Sequence, residues 1–364
     1  MKIFYAIQAT GNGHISRAIQ LYPYLQKFGT VDFFLSGNYA SLDINLPITY
    51  TSKGCSLHYS KCGGLDYWGI AKNVQPMRMF KDANALPLKK YDVVIDAYSK
   101  LETNLITFFS GAKYKISYKK GYSNIFYNYN IERLKNGTKS DIGLAIINRL
   151  RLLKPLIEEE ITDYKPKVFL TDSEINQAKE MLSKFPLKTD KPTFMIGILG
   201  SEWYKTYPFE KMAELLDFTV QTTDANLLFN YIPKQKEDAQ KIFDLCQPET
   251  QQRIYFGLYA NDLRSFLGLL SQCDALIGNE GGSVNMAKAL FIPTFSLFSP
   301  SVDKETWQIF EDDKNISIHL KDLKPEIYTE VDEKYIKENT FKYFEEYPIA
   351  LIKEKLKDFF EIIR

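Results

Sequence analysis

The sequence predicts an α/β protein of two domains, each a parallel sheet covered by helices. Three observations predict it. Short β-rich runs alternate with helical patterns along the chain, as in sheets whose strands are joined by crossover helices. The 364 residues suffice for two domains, each long enough to bury a core of its own. The charge divides in the same way: residues 1–155 hold 21 basic and 9 acidic side chains and the remainder 25 and 36, so a net +1 conceals two halves of opposite sign. A basic first half points to an anionic ligand or surface on that side. The composition, 45% hydrophobic and 25% charged, is that of a globular protein and excludes disorder and fibrous repeats.

In the first half, strands are expected at Lys2–Gln8, Val31–Ser36, Ile48–Thr51, Asp92–Asp96 and Lys115–Tyr118, with helices at Ser16–Lys27 and Asn104–Phe109. The second half repeats the logic. Its strands are expected at Phe194–Leu199, Asn226–Tyr231, Arg253–Phe256, Ala275–Gly278 and Thr294–Phe298, and its helices at Glu210–Thr219, Lys236–Leu245, Asp262–Ser271 and Val284–Leu290. Between Leu156 and Lys191 the pattern is interrupted by Glu158-Glu159-Glu160, Pro166 and a further helix, Ser173–Lys184. The domains are therefore placed at 1–160 and 161–332. The tail, 333–364, is helical with no strand to feed, and is expected to pack back on the N-terminal domain. Ligands of open parallel sheets sit outside the carboxyl ends of the strands, so two facing sheets place the site in the cleft between domains.

The opening apolar run breaks at Thr10-Gly11, too early for a signal peptide, and no later run approaches the roughly 18–20 residues of a membrane span. Cys55, Cys62, Cys246 and Cys273 lack CxxC spacing and read as reduced thiols of a cytoplasmic protein, most of them filling core. His58 and His319 have no neighbours at ligand spacing, so no metal site is expected.

The strongest motif is Ile277-Gly278-Asn279-Glu280-Gly281-Gly282-Ser283-Val284-Asn285, leading into an Ala-rich helix with Pro293 beyond. A strand ends at Gly278, two glycines follow, and a helix is expected from Ser283. Glycines let a ligand approach the backbone, and the free amides and dipole of a helix start favour an anion, for which a diphosphate is the natural occupant. A second segment, Gly197-Ile198-Leu199-Gly200-Ser201-Glu202-Trp203-Tyr204-Lys205-Thr206-Tyr207-Pro208, leaves a strand through small residues and offers one cation. Gly200 and Ser201 are candidates to line the phosphate path, and Lys205 to meet the phosphate as a point charge. Each segment alone also reads as a plain turn with a solvated lysine. Together, as small-residue loops at adjacent strand ends, they are hard to explain by packing.

From about Tyr91 to Trp307 the chain resembles glycosyltransferase family 9, the ADP-heptose:lipopolysaccharide heptosyltransferases. Members carry an acidic-Ser/Thr-Gly-x-x-His segment, an Ala-rich helix, a Pro, an apolar strand and Phe-Gly-Pro. Here Glu280 takes the acidic place, Gly281 and Gly282 the small ones, Asn285 that of the His, and Phe298-Ser299-Pro300 that of Phe-Gly-Pro. The family's Lys-x-Trp-Pro matches Lys205-Thr206-Tyr207-Pro208. The resemblance implies a GT-B fold, meaning two Rossmann-like domains around a cleft, and a donor site that Glu280 and Asn285 contact. Glu for Asp and Asn for His are departures that leave the sugar open.

The first loop, Ala9-Thr10-Gly11-Asn12-Gly13-His14-Ile15-Ser16, has a GxG without the third glycine of a dinucleotide fingerprint, and Asp32 opens its strand instead of closing it. A nicotinamide cofactor is not expected. His14, at a strand-to-helix turn, suits removal of a proton from an attacking hydroxyl, or equally capping of the helix. Residues 1–90 resemble glycosyltransferase family 28, whose Gly-Gly-x-Gly-Gly-His loop is matched at Gly11, Gly13 and His14, with Asn12 where a Gly is usual. The chain thus reads as a mosaic of two GT-B families.

Lys113 to Tyr122 and Ile125 to Tyr129 mix cations with aromatics, which suits an anionic membrane headgroup surface as well as an ordinary strand and loop. Near-zero net charge and the resemblance argue against nucleic acid. The expected activity is inverting, metal-independent transfer from an ADP- or UDP-linked sugar to a glycolipid or glycan acceptor, with the nucleotide-diphospho-sugar as substrate and no cofactor. A nucleotide-sugar epimerase and a non-catalytic nucleotide-sugar-binding protein are the alternatives.

Overall fold

The computed structural model describes residues 1–8, 25, 27–36, 57–59, 91–97, 99, 101–134, 142–158, 168, 170–260 and 262–364. They form two units, Met1–Pro166 and Lys167–Arg364.

The first unit is built on a six-stranded sheet of β1 (Lys2–Gln8), β2 (Thr30–Ser36), β3 (Leu57–Tyr59), β4 (Val93–Asp96), β5 (Tyr114–Tyr118) and β6 (Tyr129–Ile131), in the order β3-β2-β1-β4-β5-β6. Every neighbouring pair is parallel. This order reverses direction between β1 and β4, as in a doubly wound dinucleotide-type sheet. The central strands are apolar because both faces are covered: Ile3, Tyr5, Val93, Val94 and Ile95 are fully buried. Helices α1 (Leu101–Phe109) and α2 (Leu144–Arg151) follow β4 and β6. β1 falls on Lys2–Gln8 as its pattern predicts. The strand expected at Ile48–Thr51 and most of the helix expected at Ser16–Lys27 lie outside the described residues. β6 is an unexpected edge strand, and Asn128 just before it explains the pairing. Its side chain accepts the Lys115 amide at 2.7 Å and donates to the Lys113 carbonyl at 2.7 Å, clipping the edge to β5.

The second unit has a five-stranded parallel sheet of β7 (Thr193–Gly197), β8 (Asn226–Phe229), β9 (Ala275–Asn279), β10 (Thr294–Leu297) and β11 (Asn315–Ile318), ordered β11-β10-β9-β7-β8. The order reverses between β7 and β9, so their carboxyl ends open a crevice where such sheets bind ligands. Helices α3 (Asp172–Ser183), α6 (Leu263–Leu270) and α7 (Gly282–Ala289) cover one face. Helices α4 (Phe209–Thr223) and α5 (Lys236–Leu245) cover the other. Thr171 and Glu174 cap α3 reciprocally, and Glu174 also takes a bidentate Arg264 from α6 at 2.5 and 2.7 Å, locking the two helices together.

The tail ends in α8 (Ile349–Ile363), whose apolar stripe is buried in this unit's own core. Phe360 stacks on Phe194 of β7 with ring centroids 5.5 Å apart, and Phe359 meets Phe295 of β10 at 5.7 Å. Burying such a ring contributes roughly 1.5–3 kcal/mol. Where the sequence expectation sends the tail to the N-terminal domain, these contacts show what its buried stripe covers within the second unit. The expected strand Arg253–Phe256 is a correction: only Ile254 bridges to Leu227, because the chain enters from the turn after Pro248–Gln251 and leaves again at Gly257.

Candidate active site

The site grows from the β7–β9 crevice. Gly197 and Gly278 face each other in register. Gly278 has φ +132°, and a Cβ there would lie 2.4 Å from the Gly197 carbonyl oxygen, so only glycine fits. The next residue, Asn279, is buried. Its Nδ2 donates to the carbonyls of Gly197 and Ile198, both at 2.9 Å, and its Oδ1 accepts the Tyr207 amide at 2.7 Å. One side chain therefore ties the end of β9 to both the start and the finish of the loop that carries Lys205.

That loop is braced from several sides. The Gly200 amide donates to Thr206 Oγ1 at 3.1 Å, and its carbonyl accepts Gln235 Nε2 at 2.9 Å. A Cβ on Gly200 would lie 2.4 Å from the Lys205 carbonyl oxygen. Gly200 thus shapes the loop by letting it fold on itself, with both of its backbone groups already engaged. Ser201 is exposed. Lys205 ends a 3₁₀ turn, Trp203–Lys205, and is half-buried, with no hydrogen bond or ion pair to its ammonium among the described residues. Ser299, after β10, donates to the Tyr204 carbonyl at 2.6 Å. The exits of β7, β9 and β10, three adjacent strands, are thereby stitched into one edge.

The expected glycine-rich helix start lies on this edge. Helix α7 begins at Gly282, one residue earlier than the pattern predicts, with Gly281 at its N-cap in extended backbone. Among the described residues no side chain caps it, so its first amides keep their hydrogen-bonding capacity. Ser283 is half-buried, and Asn285 is buried with its Nδ2 on the Gly281 carbonyl at 3.3 Å. The Glu280 backbone amide donates to the Leu297 carbonyl at 2.9 Å, holding the turn against β10. One turn further on, Lys288 buries its ammonium against the Ile309 carbonyl at 2.5 Å and Glu311 at 3.2 Å. Burial lowers its pKa and Glu311 partly opposes the shift.

The described part of the site joins Gly200, Ser201, Lys205, Glu280, Gly281, Gly282, Ser283 and Asn285 on the carboxyl edge of one sheet. Gly11, Asn12, Gly13 and His14 lie outside the described residues, after the end of β1. Sequence reasoning missed Asn279, Thr206, Gln235 and Ser299. The signal for Asn279 was a polar residue closing an apolar run. His319 is buried, with Nε2 on the Val302 carbonyl at 3.0 Å and Nδ1 accepting the Lys321 amide at 3.0 Å, which commits both ring nitrogens to structure. Cys246 and Cys273 are buried free thiols. Among the described residues no three His, Cys, Asp or Glu side chains group as metal ligands, and no helix is long and apolar enough to cross a membrane.

No curated protein matches the chain. Solved structures share its fold. E. coli ADP-heptose LPS heptosyltransferase II aligns over 95% of this chain and 99% of that one, at 15% identity and TM-score 0.63. A family 9 glycosyltransferase of Veillonella parvula covers 95% and 97%, at 13% and TM-score 0.66. E. coli heptosyltransferase WaaC with ADP-2-deoxy-2-fluoro heptose covers 91% and 100%, at 14% and TM-score 0.59. The profile of glycosyltransferase family 9 (heptosyltransferase) matches residues 79–336. A match across most of the chain, on two Rossmann-like units of GT-B type, settles its membership: the chain belongs to glycosyltransferase family 9, the heptosyltransferases.

Proposed function

We propose that this glycosyltransferase moves a sugar from a nucleotide-diphospho-sugar to a lipid- or glycan-linked acceptor of the cell envelope, with inversion at the anomeric carbon. The observation that carries the reading is the uncapped start of α7 at the β7–β9 crevice, beside the loop of Lys205. A heptosyltransferase of the same fold is solved with an ADP-sugar analogue, which supports a nucleotide sugar as the ligand.

In this reading the acceptor hydroxyl oxygen attacks the anomeric carbon, the bond from that carbon to the diphosphate oxygen breaks, and the acceptor proton passes to His14. Negative charge grows on the departing nucleoside diphosphate. The amides of Gly282 and Ser283 and the Lys205 ammonium meet it, the backbone of the Lys205 loop being braced by Asn279 and Ser299. Preorganised donors aimed at developing charge are often the largest catalytic contribution. Glu280 and Asn285 contact the donor, while Ser201 and the Gly200 turn border the phosphates. The positive charge is supplied by protein groups, so the reading needs neither metal nor cofactor. A lipid-linked acceptor brings the protein to the inner membrane face as a peripheral, cytoplasmic enzyme.

A thermal-shift series with ADP, UDP and their sugars tests it. A specific diphosphate is expected to stabilise the chain by about 2.7 kcal/mol at a hundredfold excess over Kd. His14→Ala is expected to keep that shift and lose about 10²–10⁴-fold in turnover. No shift with any nucleotide overturns the donor site. A changed sugar from donor alone, without acceptor, identifies an epimerase instead.

A further inference from the structure

Among the described side chains of helix α1 in the first unit, the polar Thr103, Asn104 and Thr107 are buried, while Phe108 and Phe109 at its C-terminal end are half exposed. Thr107 Oγ1 donates to the Thr103 carbonyl at 2.8 Å, and the Tyr127 hydroxyl donates to Asn104 Oδ1 at 2.6 Å, while Asn104 Nδ2 is buried without a hydrogen-bond partner among the described residues. The aromatic end continues onto the 3₁₀ turn Gly121–Phe126, where Phe126 meets Phe108 edge-on at 5.9 Å. On that turn Ile125 is 80% and Tyr122 66% exposed. Lysines frame these rings. Lys115 sits over Phe108, 5.8 Å from its centroid, and Lys113 over Tyr114 at 5.3 Å. Of the lysines in residues 103–131, Lys119 pairs with Glu132 and Lys120 donates to the Ser99 carbonyl at 2.9 Å, which leaves Lys113 and Lys115 beside the rings.

We infer that this patch is a docking surface for an anionic phospholipid bilayer. Exposed Phe, Tyr and Ile side chains gain by entering the headgroup–acyl boundary, and lysines around them face lipid phosphates. Lys113 and Lys115, set among the exposed rings, fit that partner by charge, and an exposed aromatic helix end has no use for a water-facing surface. The inference deepens, and rests on, the reading that the acceptor is lipid-linked. It names the surface that would bring the first unit to such an acceptor.

The test is co-sedimentation of the full chain with vesicles of phosphatidylcholine alone or of equimolar phosphatidylcholine and phosphatidylglycerol. Binding is expected to the second only, and to weaken as salt is raised. The double variant Phe108→Ser, Ile125→Ser, with unchanged melting temperature, is expected to bind about tenfold more weakly. Lys113→Glu, which removes no packed ring, is expected to weaken it by roughly fivefold. Equal binding to both vesicles, wild-type binding by the double variant, or tighter capture by a single-stranded oligonucleotide overturns the proposal. Transfer to a detergent-solubilised acceptor is read in parallel: loss of vesicle binding with transfer intact belongs to the surface, whereas absent transfer with vesicle binding intact counts against the proposed reaction.

Discussion

The side-chain oxygen of Asn279 accepts the backbone amide of Tyr207 at 2.7 Å across 72 residues of sequence, so the Lys205 loop hangs from the last residue of β9. With Asn279→Ala, the buried carbonyls of Gly197 and Ile198 and the Tyr207 amide lose their partner. Unfolding in urea is expected to show a loss of about 2–3 kcal/mol. Because Lys205 follows the loop, calorimetry with the preferred nucleoside diphosphate is expected to show roughly tenfold weaker binding.

The N-cap of α7 offers a sharper separation of stability from binding. Gly281 is extended, and a Cβ there meets nothing within 4 Å. Gly281→Asp therefore fits, and its carboxylate caps the free amides. It is expected to raise stability by about 0.5–1 kcal/mol and to cut nucleotide affinity at least tenfold, since both anions want the same donors. Unchanged affinity would remove the diphosphate from this helix start.

Lys205→Gln is expected to leave the melting temperature within about a degree, because its ammonium has no partner among the described residues to lose. Its effect is expected in steady-state kinetics, with donor KM raised and kcat lowered together by about tenfold or more. An effect on KM alone would make Lys205 a ground-state contact.

His319 gives the second unit an acid-side weakness. Burial pushes its pKa down to about 4, from an ordinary 6.5, with the Val302 hydrogen bond opposing. A folded pKa below the unfolded one means that the unfolded chain takes the proton first. Stability is full above pH 6.5 and falls as pH drops toward 4. The loss is on the order of 2–3 kcal/mol at the acid end. His319→Asn keeps an N-cap acceptor for the Lys321 amide and does not titrate, so melting curves between these limits are expected to flatten.

Most of the sheet architecture was legible, because β1, β7, β9 and β10 are apolar runs ended by small or turn residues, and α5 carries its stripe at helical spacing. The glycine-rich start of α7 was legible for the same reason, one residue out because Gly282 already has helical backbone. The edge strands β3, β6 and β11 escaped notice, as Leu-His-Tyr, Tyr-Asn-Ile and Asn-Ile-Ser-Ile are short and partly polar. Arg253–Phe256 has strand composition, yet its neighbours allow one bridge only. The bracing of the site was invisible in the sequence: Asn279 and Ser299 find partners 72 to 95 residues away, and no local spacing records such a distance.

Gly197 and Gly278 meet with no room for a side chain between them. The two loops that flank the crevice are thus gauged from a single bare contact in the sheet, and their separation is inherited from backbone dimensions instead of from whichever residues the loops carry. Loop sequence is consequently free to vary while the span between the two walls of the crevice stays constant. A methyl group at 278 would act as a wedge, moving both walls at once, and no compensating change in either loop could restore the gap.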